Sequence, residues 1–179
     1  MPKSTVAGHP IHPMLIVAPA ALIPFGLILD VMHQASGKQS YADAAYYSKV
    51  GGLLGGLAAG AAGAMDYLTI EPHTEVKQTA NVHALLNIGA LLLTAINVKR
   101  GPASTGHAGG SIALSGLATA GVMISGWYGA RMVYEQGVRV KTASPIEHKP
   151  EVKIPGDEII HDAFIQPERH MPSTGPSTH

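Results

Sequence analysis

Four stretches of predominantly apolar residues alternate with short polar segments along the amino-acid sequence. They extend over His12–Met32, Ser48–Leu68, Thr79–Val98 and Ser111–Met132. A helix needs about 20 mostly apolar residues to cross roughly 30 Å of hydrocarbon. Each stretch therefore predicts a membrane-spanning helix. Together they predict an all-α fold, an integral membrane four-helix bundle with a mostly irregular C-terminal tail.

Proline and glycine shape two of the predicted spans. Pro19 and Pro24 lie inside the first span and should kink it, which membrane helices tolerate where neighbouring groups satisfy the freed carbonyls. In the second span, Gly52, Gly56 and Gly60 recur at every fourth position and form a small-residue face. Such a face favours close helix packing in lipid. A flat cofactor lying against the glycines is the alternative.

The apolar pattern ends beyond residue 140. Residues 141–179 are polar and rich in proline, and no helical period survives there. We therefore expect a four-span transmembrane domain over residues 1–140 and a Pro-rich polar tail over residues 141–179. The tail is expected to be extended or disordered unless a partner orders it.

Composition agrees with a membrane location and removes several kinds of function. Charged residues make up 13% of the 179 residues, against about 25% in an ordinary soluble domain. The net charge is zero, so no basic surface argues for nucleic acid. Cysteine is absent, which excludes disulfides, thiolate-held iron–sulfur clusters and covalently attached haem. The sequence has no phosphate-binding glycine loop, nucleophile elbow or zinc-protease histidine pair. Whether the protein is an enzyme stays open.

An even number of spans places both chain termini on one side of the membrane, here called side A; the opposite side is side B. Side A is expected to collect His9, His12, Asp66, His73, His83, Arg131 and Glu135. Side B is expected to collect Asp30, His33, Lys38, Lys99, Arg100 and His107. Asp30 and Asp66 end spans, where a carboxylate can reach the interface. Basic residues are balanced between the sides, so the positive-inside rule does not decide which side is cytoplasmic.

His83 is the residue that most needs an explanation. It lies about one turn inside the third predicted span, where ionisable groups are costly and mark functional sites. Neutral imidazole is the commonest protein metal ligand, and bundles hold cofactors with side chains from facing helices. His12 is expected at a comparable depth. The pair predicts a b-type haem with His12 (or His9) and His83 as axial ligands and Arg131 paired with a propionate. A histidine that only hydrogen-bonds a neighbouring helix is the alternative.

The same residues allow a different site. A metal ion could be held by His9, His12, Asp66 and His83, because imidazole and carboxylate are both suitable ligands. For the opening histidines, the structural interpretation is an extended entry fixed by two prolines, with both imidazoles at the level of the head groups.

Several of these residues also match a known pattern. The opening Gly8-His9-Pro10-Ile11-His12-Pro13-Met14-Leu15 resembles the signature of a bacterial membrane family. The resemblance extends to Asp30, Asp66-Tyr67, His83 with Asn87, and the closing Gly126-Trp127-Tyr128-Gly129 and Val133-Tyr134-Glu135-Gln136-Gly137-Val138. The family is the domain of unknown function twenty-two thirty-one, with four predicted spans, and the resemblance covers about residues 8–140. It implies a multi-pass protein of the bacterial cytoplasmic (inner) membrane and supplies no chemistry.

Three functions follow from these observations. The first is a haem-binding electron-transfer subunit of a larger membrane complex. The second is a non-enzymatic accessory or assembly subunit that binds other membrane subunits through its glycine-rich helix faces and its tail. The third is a transporter or metal-ion site, which four short spans without paired broken helices make a poor fit.

Overall fold

The structure of the protein is a computed structural model that describes residues 5–6, 9–103 and 108–138. For residues 5, 6 and 9 the structure describes the backbone and not the side chains. The chain divides into two units, Met1–Val140 and Lys141–His179, and all described residues belong to the first. The predicted tail and the predicted position of His107 therefore lie outside the described residues.

The described residues are almost entirely helical, which confirms the predicted all-α fold. The helices are α1 Ile11–Leu15, α2 Val17–Ser36, α3 Gln39–Tyr67, α4 Glu75–Lys99 and α5 Gly109–Tyr134. Ahead of them, the two-residue strands β1 Thr5–Val6 and β2 His9–Pro10 pair in antiparallel register. The sequence pattern did not predict this short pairing.

The first predicted span is divided between α1 and α2. The break falls at Ile16, immediately after Leu15, whose carbonyl would be paired with the amide that Pro19 lacks. Hydrogen bonds from the Ile16 amide to the His12 carbonyl (3.1 Å) and from Ala20 to Ile16 (3.0 Å) carry the chain across the break. Pro24, in contrast, lies within α2, which continues to Ser36.

Local sequence fixes the other helix ends. Gly37 ends α2 in the left-handed conformation (φ 68°), which glycine adopts without steric cost. Thr74 caps α4 by accepting a hydrogen bond from the Lys77 amide at 3.1 Å. Glu75 follows in the first turn of α4, where a negative charge interacts favourably with the helix dipole.

The long helices pack as two antiparallel hairpins, α2 with α3 and α4 with α5. α2 also packs against α5, and α3 against α4, while α1 lies on α3. α2 and α4 are therefore diagonal neighbours in a closed bundle. The segment formed by α1 and α2 runs from side A to side B, and so does α4. The beginnings of α1 and α4 therefore lie at the same end of the bundle.

The bundle has a small and polar interior and a large apolar exterior. Alanine dominates its buried apolar positions, and Ile23 and Leu29 are the only buried large aliphatic residues in the described part. Large side chains such as Phe25, Leu85 and Met123 are instead exposed. In water this arrangement would be unstable, whereas in lipid small residues let helices approach and apolar side chains face the acyl chains.

Three helical segments are long and apolar enough to cross a membrane: Ile11–Ser36, Glu75–Lys99 and Gly109–Tyr134. α3 is the fourth helix of the bundle. It is not among these three segments. It begins nine residues before the predicted start at Ser48 and contains polar residues such as Lys49 together with many glycines.

Candidate functional site

His12 and His83 face each other at the side-A end of the bundle. Their ring centroids are 6.3 Å apart, and their planes are nearly perpendicular, at 85°. His12 comes from α1 and His83 from the third turn of α4. The structure therefore brings together the two histidines that the sequence pairs by depth and side.

The His12 ring is held by α3. Its Nδ1 lies 2.8 Å from the carbonyl oxygen of Ala59. A carbonyl can only accept, so Nδ1 carries the proton and Nε2 is left with a free lone pair. The ring lies against Gly63, where an added Cβ would be 2.9 Å from the His12 Cε1. Glycine at position 63 is therefore needed for the ring to reach α3.

The His83 ring is held by α5 in the same way. Its Nδ1 lies 2.8 Å from the carbonyl oxygen of Ser125, which again makes Nδ1 the protonated nitrogen. A Cβ at Gly129 would be 3.1 Å from the His83 Cε1. Each histidine thus donates to a backbone carbonyl of the neighbouring helix and lies over a glycine one turn further along.

Asn87 and Ser125 add polar contacts around His83. The Asn87 amide nitrogen lies 2.6 Å from the Ser125 hydroxyl and 3.1 Å from the His83 Nε2. The Ser125 hydroxyl donates to the His83 carbonyl at 3.1 Å. Neither side chain was among the predicted site residues, although Asn87 was noted beside His83.

The contacts of the two hairpins repeat in register. Residues 12, 19 and 26 of the first correspond to residues 83, 90 and 97 of the second, because the spacing from each histidine is the same. A Cβ at Gly55 would lie 2.6 Å from the Ala18 Cβ and 3.4 Å from the Pro19 Cδ, and one at Gly121 would lie 3.3 Å from the Ala90 Cβ. Gly26 lies against Lys49, and Asn97 bonds to Ser115. The histidine pair therefore joins positions whose contacts correspond in the two hairpins, a correspondence that only the structure reveals, because His12 and Gly63 are 51 residues apart in the sequence and His83 and Gly129 are 46 apart.

A second polar cluster occupies the side-B end of the bundle. Lys49 on α3 donates to both carboxylate oxygens of Asp30 on α2, each at 3.0 Å, and to the Ser111 hydroxyl at 2.8 Å. Both charged side chains are at most 2% exposed. The expectation that Asp30 reaches the interface is therefore wrong, because Lys49 pairs with it inside the bundle.

Helices α4 and α5 complete this cluster. Ser115 donates to Asp30 at 2.7 Å, and the Asn97 amide donates to the Ser115 hydroxyl at 2.8 Å and to the Ser111 carbonyl at 3.0 Å. Each of the four long helices thus contributes to one buried network. Buried polar groups in a membrane protein need such partners, since no water is available to satisfy them.

The sequence matches the family of predicted membrane proteins designated DUF2231 over residues 8–142. The chain belongs to the DUF2231 family. This confirms the resemblance drawn from the opening histidines and the closing aromatic segment, and it makes the protein one that contacts the lipid bilayer. No curated protein and no solved structure matches the chain. Membership of DUF2231 therefore supports the membrane location, and the site chemistry rests on the geometry above.

The other predicted site residues of this DUF2231 chain have varied placements. Arg131 lies on α5 near the side-A end and pairs with Glu135 at 3.0 Å and Glu75 at 3.4 Å. Asp66 lies at the end of α3, where its carbonyl accepts from the Thr69 hydroxyl at 2.7 Å. The His9 side chain is outside the description. Among the described side chains, no group of three or more histidines and acids could hold a metal ion.

The glycine face of α3 is used for helix packing. A Cβ at Gly52 would lie 2.8 Å from a side-chain carbon of Ile23, and a Cβ at Gly56 would collide with Leu91. The close-packing interpretation is therefore confirmed at these two positions. Gly60, the third member of the predicted face, has no atom within 4 Å of its Cβ position.

Proposed function

We propose that the protein is a small membrane subunit that binds a b-type haem between His12 and His83 and carries electrons. The observation that carries this proposal is the hydrogen bond that each of the two imidazoles makes through Nδ1. Each donates its Nδ1 proton to a backbone carbonyl, at 2.8 Å in both cases. Histidines that bind a metal through Nε2 make the same kind of hydrogen bond from Nδ1, because it fixes the ring and leaves Nε2 as the ligand.

The separation of the rings agrees with an axial pair. Imidazole nitrogens lie about 2.0–2.1 Å from a bound Zn²⁺ ion, and first-row metals in general are similar. Each ring centre lies roughly 1 Å beyond its nitrogen, so two imidazoles on opposite sides of one metal place their centres roughly 6 Å apart. The observed centroid separation is 6.3 Å.

The surroundings also fit this use. Arg131 is one-third exposed at the same end of the bundle, where its guanidinium could exchange Glu75 for a propionate. A bis-histidine haem supplies one-electron chemistry whose potential the axial ligands and their hydrogen bonds adjust. The protein's part is to hold the two imidazoles in place through the Ala59 and Ser125 carbonyls.

Location and partners complete the proposal. We place the protein in the bacterial cytoplasmic membrane as a multi-pass subunit, with other membrane subunits as electron donor and acceptor. The accessory function is the second possibility, and it would require a docking surface other than Gly52 and Gly56, which packing within the bundle already covers.

The test is an absorption spectrum of the full-length protein purified in detergent from haem-sufficient cells, oxidised and then reduced with dithionite. We expect a stoichiometric Soret band that sharpens on reduction. The double variant His12→Ala/His83→Ala should have no band.

The matched control is His73→Asn, because His73 is exposed at the same end of the bundle and has a positive φ of 64° that asparagine tolerates. This variant should keep the band. A wild-type protein without haem, or a double variant that retains it, would overturn the haem proposal and favour the accessory function.

A further inference from the structure

Oxygen atoms surround the ammonium group of Lys49 at the side-B end of the bundle. The two carboxylate oxygens of Asp30 lie 3.0 Å from its nitrogen, and the Ser111 hydroxyl lies 2.8 Å away. The Asn97 side-chain oxygen and the Ser115 hydroxyl extend this group of oxygens, at 3.0 Å from Ser111 and 2.7 Å from Asp30. Oxygen atoms are the ligands that hard metal cations take in proteins. The cluster therefore has the composition of a cation site in which the side chain of Lys49 supplies the cation.

The cluster has more acceptor oxygens than hydrogens to fill them. The Ser111 hydroxyl has one hydrogen to donate, yet Asp30 Oδ2 lies 2.9 Å and Asn97 Oδ1 lies 3.0 Å from its oxygen. Both amide hydrogens of Asn97 are directed to α5, at the Ser111 carbonyl and the Ser115 hydroxyl. A metal cation satisfies several oxygens at once, so this surplus of acceptors suits a cation.

Charge and distance select the class of cation. One carboxylate balances one positive charge, so a monovalent ion in place of the ammonium keeps the cluster neutral, whereas a divalent ion adds an uncompensated buried charge. Oxygen ligands lie about 2.0–2.1 Å from Mg²⁺ and about 2.3–2.6 Å from Ca²⁺. The oxygens around the Lys49 nitrogen lie at 2.8–3.0 Å. K⁺ is close to ammonium in size and forms bonds of similar length to oxygen, so K⁺ fits the spacing.

We propose that Asp30, Ser111 and Asn97 form a K⁺ site that exchanges K⁺ for a proton of Lys49. One N–H bond of the ammonium breaks, the electron pair stays on Nζ, and the proton passes to water on side B. K⁺ enters from the same side, where Ser111 lies in the first turn of α5. One positive charge leaves and one arrives, so the buried cluster stays neutral throughout.

The titratable surroundings identify Lys49 as the source of the proton. His33 lies one turn beyond Asp30 on α2, and its Nδ1 bonds to the Lys38 carbonyl at 2.9 Å. The turns of α4 and α5 that contact the ion pair contribute an amide and two hydroxyls. None of the described hydrogen bonds of Asp30 or Lys49 goes to another titratable group. The other charged groups at this end are Lys38, Asp43, Lys99 and Arg100.

The first test is a K⁺ titration of the full-length wild-type protein in detergent and weak buffer, at successively higher pH. N-methyl-D-glucamine chloride keeps the ionic strength constant, a pH indicator reports released protons, and equilibrium dialysis counts bound K⁺. We expect saturable binding with one proton released for each K⁺ ion bound. The double variant Asp30→Asn/Lys49→Met lacks both charges and should neither bind K⁺ nor release protons.

The single variant Lys49→Met separates K⁺ binding from proton release. It leaves the Asp30 carboxylate without its ammonium, so it should bind K⁺ with no proton released. K⁺ at about ten times its dissociation constant should raise the unfolding midpoint of this variant by roughly 3–6 °C. N-methyl-D-glucamine, which is too large for the cluster, should leave the midpoint unchanged, and so should K⁺ added to the double variant.

Equal midpoint shifts with K⁺ and N-methyl-D-glucamine would reveal an effect of ionic strength only and overturn the K⁺ site. Wild-type protein that releases no proton on K⁺ addition would overturn the exchange, and this measurement decides if Lys49→Met does not fold. The K⁺ site does not depend on haem. A missing Soret band would therefore overturn the proposed electron-transfer function and leave the K⁺ site standing.

Discussion

The Lys49 ammonium lies 3.0 Å from both carboxylate oxygens of Asp30, and neither side chain is exposed to more than 2%. The pair joins α2 to α3, and Ser111 and Ser115 extend it to α5. Two charges in a low-dielectric interior are costly to bury, and their attraction offsets that cost only while both are present. The ion pair can therefore be buried without a large cost only when all four helices are correctly arranged.

Lys49→Met should destabilise the protein by about 3–5 kcal/mol, because it leaves the Asp30 carboxylate buried without a counter-ion. The measurement is thermal or denaturant unfolding in detergent, followed by circular dichroism. The double variant Asp30→Leu/Lys49→Met should be more stable than Lys49→Met alone.

The control for this pair is Glu135→Gln, which removes an exposed ion pair with Arg131. Exposed pairs contribute about 0–1 kcal/mol, so its unfolding midpoint should hardly change. A Lys49→Met variant as stable as the control would show that the buried pair does not hold the bundle together.

Lys49 also shows where sequence reasoning reached its limit. The second span was expected to begin at Ser48, which would leave Lys49 at the interface and Asp30 free to reach water. The helix instead begins at Gln39, so Lys49 lies almost three turns inside it. Small and polar residues mark helix ends poorly, because alanine, serine and glycine occur both in packed membrane helices and in loops.

The histidine pair was more predictable. His12 and His83 were brought to one end by the span count alone, since that argument depends on helix direction and not on exact boundaries. The acceptors on Ala59 and Ser125 were not predictable, because every residue carries a backbone carbonyl. The contacts with Gly63 and Gly129 were not predictable either, because they depend on how each histidine packs against its neighbouring helix and no sequence spacing marks them.

Gly63→Ala should displace the His12 ring, since the new Cβ would lie 2.9 Å from its Cε1 and 3.0 Å from its Nδ1. The hydrogen bond to the Ala59 carbonyl would lengthen or break. Under the haem function that we propose, haem occupancy should therefore fall in the spectrum of the purified protein. Gly60→Ala is the matched control on the same helix, because nothing lies within 4 Å of its Cβ position. Equal occupancy in both variants would contradict a role for Gly63 in placing the ligand.

Gly52→Ala should destabilise the contact between α2 and α3 without changing the histidine site. The added methyl would lie 2.8 Å from a side-chain carbon of Ile23 and 3.3 Å from its backbone nitrogen, and overpacking of this kind costs about 1–3 kcal/mol. Unfolding of Gly52→Ala is compared with that of Gly116→Ala, where the Cβ position is open. Equal stability of the two proteins would show that α2 does not approach α3 this closely.

The two polar sites should act independently, because they lie at opposite ends of the bundle. His12 and Asp30 are 18 residues apart along α1 and α2, which corresponds to roughly 27 Å at 1.5 Å per residue. Mutations this far apart, with no shared partner, usually add within about 0.3–0.5 kcal/mol. In the haem protein that we propose, Asp30→Asn should therefore lower the unfolding midpoint and leave the absorption spectrum of the folded protein unchanged. Combined with Gly63→Ala, it should give the sum of the two stability losses and the spectrum of Gly63→Ala alone. A shifted Soret band in Asp30→Asn would instead show that the buried ion pair and the histidines are coupled through α2 and α3.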